Sequence, residues 1–147
     1  MKRRHDGKAV IRTFTLIEMV VVIVILTLLA SIATPVYYNY VKKARISAAK
    51  AQLKILEQAI FDFRLDTGKL PDDSDGLQCL ISNVNNDGKW QGPYLRGKKM
   101  PKDPWGNDYI YTCPGENGEF DLISYGADGQ AGGEGDSADI KNNEDAQ

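Results

Sequence analysis

A chain of 147 residues can hold one domain core but not two. Its formal charge of −2 conceals an asymmetry: Met1–Thr13 carries Lys2, Arg3, Arg4, Lys8 and Arg12 against Asp6, a local +4 that leaves −6 for the rest. That acidic remainder gives no reason to expect nucleic acid, and since the single histidine is His5, it excludes His-dependent triads and zinc sites as well.

After the basic leader, residues 14–36 are apolar over the roughly 20 residues that a bilayer core requires. The basic flank predicts a cytoplasmic N-terminus. Two ordinary readings are a signal anchor and a cleaved secretory signal, for which Ala30, Ala33 and Pro35 supply a conceivable cleavage region. Neither has a use for Glu18, an acid in an apolar run that costs about 2.5 to 3.5 kcal/mol to insert.

Phe14-Thr15-Leu16-Ile17-Glu18, followed by MVVVIVILTLLASIATP, resembles the N-terminus of type IV pilins and type II secretion pseudopilins. The resemblance implies cleavage between Thr13 and Phe14 by a prepilin peptidase, N-methylation of Phe14, and retention of the apolar helix. It also implies that Glu18 meets the N-terminal amine of a neighbouring subunit during assembly, which would relieve an otherwise unpaired buried charge. The family has glycine immediately before the cut, and this chain has Thr13.

Further along, Ala49, Leu53, Leu56, Ile60 and Phe63 recur at spacings of four and three, one face of a helix. Lys42, Lys43, Arg45, Lys50 and Lys54 fall among the first turns beyond the span. Gly68 and Pro71 mark the helix end, so one helix of roughly 80 Å is expected from Phe14 to about Asp66. Pro35 lies within it and predicts either a bend or a helix boundary at the membrane surface. In the resembling family a proline here accompanies a kinked or melted stretch.

The remainder predicts a small α+β head. DSDGLQCLISNV has a short helical pattern with Ser74 or Asp75 as N-cap. DYIYTC and EFDLISYG alternate around PGENG, the signature of a β-hairpin. Pro104 and Gly106 predict a turn, with Trp105 filling the gap between helix and sheet. From about Ala127 the Gly, Asp, Glu and Asn content predicts a loop and then a frayed tail. Cys79 and Cys113 permit either a disulfide or two small buried thiols.

Asp103-Pro104-Trp105-Gly106-Asn107 and Ser124-Tyr125-Gly126-Ala127-Asp128-Gly129, with TGKLPDDSDGLQCL, are together similar to the major pseudopilin family of type II secretion, protein G. On composition alone the acidic glycine loop reads as flexible and solvated, although its oxygens suit calcium. The resemblance implies a calcium site there, held by Asp128 and Asp139, with Asp136 as a third carboxylate and backbone oxygens near Tyr125 and Gly133. The family ends its motif in Gly-Asn-Trp, whereas this chain has Lys141-Asn142-Asn143.

The expected layout is a leader at 1–13, a transmembrane and filament-core helix at 14–36, a periplasmic head at 37–140 and a polar tail at 141–147. Its fold class is α+β, type IV pilin-like: a long N-terminal helix on a small antiparallel sheet. The resemblance implies a non-enzymatic homopolymer in the bacterial inner membrane that helps export folded proteins. Minor pseudopilins, a prepilin peptidase, an inner-membrane secretion platform and, before assembly, membrane lipid would be its partners. Rival readings are a type IV pilus or competence pilin, a signal-anchored periplasmic enzyme, and a calcium-dependent surface protein.

Overall fold

A computed structural model of the chain describes residues 14–116 and 118–143. Thr13 and the rest of the basic leader lie outside the described residues. Helix α1 spans Leu16–Thr67. Its start is a capping box: the Thr15 amide and hydroxyl donate to Glu18 Oε2 at 2.9 and 3.1 Å, and the Glu18 amide donates to Thr15 Oγ1 at 3.3 Å. Its end is Gly68, which takes φ +80° and donates its amide to Arg64 O at 2.8 Å. The helix remains α-helical through Pro35, so no helix boundary forms there.

The chain divides into an N-terminal unit reaching Asn39 and a second unit, Tyr40–Gln147. In the first, every described residue is exposed, including the apolar run from Leu16 to Ile32. Thr27, Ser31 and Thr34 donate their hydroxyls to the carbonyls of Val24, Leu28 and Ala30, so an apolar environment would meet no unpaired hydroxyl protons.

In the second unit, α1 contributes Ala49, Leu53, Leu56, Ile60 and Phe63 to the core, the face predicted from their spacing, with Ala59 buried beside them. A single 3-10 turn, Gly76–Leu80, replaces the expected short helix; Asp75 is its N-cap but makes no side-chain cap bond. The hairpin forms as expected, with β1 (Ile110–Thr112) antiparallel to β2 (Asp121–Ser124) and Ile110 opposite Ile123. The expected loop and frayed tail need a correction. Ile140–Lys141 is a third strand, β3, antiparallel to β2, so the sheet order is β1-β2-β3.

Buried Leu122 and Ile140 come from the sheet, and Leu77, Leu80 and Leu95 from the long connection. That connection is pinned to the helix: Tyr94 donates to Asp66 Oδ2 at 2.8 Å, and its ring meets Phe63 and Trp90 edge-on. Trp90 Nε1 donates to Cys79 O at 2.8 Å. Both cysteines are free thiols; burial, aided by the Asp75 carboxylate, pushes Cys79 up to about 11.

Candidate functional site

Asp103 organises the loops above the sheet. It is 5% exposed, accepts the Trp105 and Asn107 amides on Oδ1 at 3.0 and 2.8 Å, and accepts the fully buried Ser124 hydroxyl on Oδ2 at 2.7 Å. Asn107 then donates Nδ2 to Gly126 O at 2.8 Å. The DPWGN turn and the SYGADG segment are thereby one hydrogen-bonded structure, with Trp105 half-buried against the core. Tyr109 is buried nearby; burial, with the Asp103 charge adding to it, pushes its phenol up to about 12.

From this hub the acidic loop leaves at Gly126 and returns at Ile140. Gly126 has φ +63°, and a Cβ there would lie 2.8 Å from Asp136 O, so only glycine fits. The Ala127 amide donates to that same Asp136 oxygen at 3.0 Å, closing the loop upon itself. Inside it, Asp139 accepts the Gly132 amide on both carboxylate oxygens at 3.0 Å, and Asp128 accepts the Gln130 amide at 3.1 Å. Asp136 is half-buried, and its Oδ1 is a buried acceptor that has no hydrogen-bond donor.

Of the residues expected to hold calcium, Asp128, Gly133, Asp136 and Asp139 thus lie in one closed loop, with Tyr125 immediately before it. Among the described residues, however, no three His, Cys, Asp or Glu side chains are gathered closely enough to hold a metal. What fits a hard cation is the unpartnered Asp136 Oδ1, together with the lone pairs Asp139 retains after accepting one amide. Asp136, placed third among the aspartates on sequence, is the one with a buried oxygen left without a donor. Sequence reasoning read Asp103 only as part of the turn, because the partner of its second oxygen, Ser124, lies twenty-one residues away.

At the other candidate site, Phe14 is exposed, and Glu18 is held by Thr15 in the capping box. The sequence carries the Thr-x-x-Glu signal for this box, which supplies a use for the carboxylate within one subunit. A capped helix with an exposed apolar first half suits lipid or neighbouring helices.

The family model for type II secretion system protein G matches residues 36–143. Type II secretion system core protein G of Vibrio cholerae serotype O1 is 42% identical over 132 residues, covering 88% of this chain and 89% of that one. The core protein G of Pseudomonas aeruginosa is 41% identical over 151 residues, covering 97% and 98%. Among solved structures, the major pseudopilin of the type 2 secretion system of enterohaemorrhagic Escherichia coli matches with a TM-score of 0.58 and 32% identity, over 71% of this chain and 91% of that one. With the helix, the three-stranded sheet and matches over most of its length in agreement, the chain belongs to the protein G family of the type II secretion system, the non-enzymatic structural subunits of the pseudopilus.

Proposed function

We propose that this subunit is cut between Thr13 and Phe14 by a prepilin peptidase, methylated at Phe14, and held in the inner membrane with its head in the periplasm until it joins the filament. The observation that carries this reading is the uninterrupted helix whose apolar first half is left exposed among the described residues. Such a surface needs lipid first and the helices of other copies afterwards. During assembly the Glu18 carboxylate, turned back on Thr15 in the single subunit, exchanges that partner for the amine of a neighbouring Phe14. The inner-membrane platform and minor pseudopilins would start and direct growth, and the growing filament would drive folded proteins across the outer membrane.

Calcium belongs to the same proposal. Asp128, Asp136 and Asp139 would hold it, with the backbone oxygens of Tyr125 and Gly133, and the ion would neutralise the loop's negative charge and stiffen it.

Intact-mass measurement on membrane-extracted protein is expected to give a chain beginning at methylated Phe14. Glu18→Ala is expected to leave an inserted monomer with a folded head that enters filaments poorly. A mature start near Ala33 would overturn the reading, and normal filament yield from the variant would overturn the pairing role of Glu18.

A further inference from the structure

Between Glu18 and Glu57 the chain has no acidic residue, and all five charges in that interval are positive: Lys42, Lys43, Arg45, Lys50 and Lys54. The first three follow the end of the apolar run at Val36 by six to nine residues. Nine residues of helix rise about 14 Å, so Lys42, Lys43 and Arg45 all stay close to wherever that run leaves a bilayer. Tyr37, Tyr38 and Tyr40 fill the interval and are all exposed, the side-chain type that sits at the water interface of membranes.

The three cations differ in what they do. Lys42 is half-buried and turned to the acidic loop, where a Cβ on Gly135 would lie 2.7 Å from its Nζ. Lys43 and Arg45 are exposed and make no hydrogen bond or ion pair among the described residues. Two positions apart on a helix means about 200° around the axis, so these two cations form a collar around α1.

We infer that Lys43 and Arg45 are a headgroup-binding collar that takes the phosphates of anionic phospholipids on the outer face of the inner membrane. The inference rests on the membrane-spanning reading above. Charge complementarity selects the occupant: a helix passing through a headgroup layer meets phosphate on every side, which suits cations on opposite sides. A juxtamembrane Lys or Arg near an anionic surface gains roughly fivefold in binding.

The test is electron paramagnetic resonance of spin-labelled lipids around the full chain reconstituted in phosphatidylcholine bilayers. Labelled phosphatidylglycerol is expected to be enriched over labelled phosphatidylcholine in the motionally restricted shell, roughly two- to fivefold, and the enrichment should shrink in high salt. K43Q/R45Q should fall clearly below wild type, to the level the leader's cations sustain, and K43R should match wild type. The leader's basic residues are identical in all of these chains, so the change between them reads the collar alone. No restricted component at all would refute the membrane-spanning reading. A restricted shell with equal preference in wild type and K43Q/R45Q would refute the collar alone. Loss of enrichment as protein density rises, with Lys43 cross-linking to carboxylates of a second copy, would also overturn it and assign these cations to contacts between subunits.

Discussion

Replacing Asp103 by alanine would remove the acceptor for three donors at once. The Trp105 and Asn107 amides are half-buried and partly reachable by water, so each counts at the low end, about 1 kcal/mol. The Ser124 hydroxyl is 0% exposed and stands at the upper end, about 2 to 3 kcal/mol. The sum is about 4 to 5 kcal/mol, a large share of the about 5 to 15 kcal/mol by which domains are stable. Asp103→Asn keeps Oδ1 for the two amides and offers its NH₂ to Ser124, whose hydroxyl can accept instead, so that variant is expected to lose only about 1 kcal/mol. Both tryptophans, Trp90 and Trp105, belong to the head, so tryptophan fluorescence of the full chain in detergent micelles follows its unfolding in urea. With a slope of about 2 kcal/mol per molar, Asp103→Ala should move the midpoint down by about 2 M and Asp103→Asn by about 0.5 M. If the alanine variant shifts by less than about 0.5 M, or the asparagine variant is as damaged as the alanine one, Asp103 is not the hub of these loops.

Calcium at a hundredfold excess over its dissociation constant should stabilise the head by about 2.7 kcal/mol; calorimetry should show a higher melting temperature, a smaller effect of magnesium, and loss of the effect in Asp128→Ala, Asp136→Ala or Asp139→Ala. No shift at millimolar calcium would leave the loop without its ion. Gly126→Ala should lower the melting temperature much more than Gly132→Ala, because both have positive φ but only Gly126 has Asp136 O and Ala138 O within about 3 Å of the added carbon; equal losses would show that strain alone matters. Stability should also decline in alkali. Cys79 and Tyr109 hold their protons more tightly when folded, so the unfolded chain releases them first. Their contribution is whole below pH 9.0 and is lost between 9.0 and about 11 for Cys79 and between 10.0 and about 12 for Tyr109, which urea titrations across that range would detect.

The helix and hairpin were legible because their signals are local: a four-three spacing from Ala49 to Phe63, and two alternating runs around PGENG. The helix stop at Gly68 was equally local. Strand β3 escaped because two residues, Ile140 and Lys141, cannot show a period. Asp103 escaped for a different reason. Next to Pro104 it reads as a turn residue, and only the fold brings Ser124, twenty-one positions later, against its second oxygen. The same limit holds in the acidic loop, where composition named the aspartates but could not tell that Asp136 keeps one oxygen buried and unpartnered. The capping box was written plainly in Thr15 and Glu18, but the apolar setting drew attention to the charge and away from the helix end.

The closures of the sheet set an order of events as the chain emerges from synthesis. Asp103 meets Ser124, Asn107 meets Gly126, Leu122 meets Asn142 and Asp121 meets Asn143, all over 19 to 22 residues. Loops of that size close at little entropic cost, so the last forty or so residues can assemble among themselves as soon as they emerge. The sheet cannot be completed earlier, because β2 lacks its second neighbour until Ile140 and Lys141 have emerged. A chain halted short of that point would lack buried Ile140 and leave the second edge of β2 unpaired, which is a surface for chaperones and proteases to grip. Completion of the head is therefore written into its last described strand: until β3 arrives, β2 keeps an open edge and the core lacks Ile140.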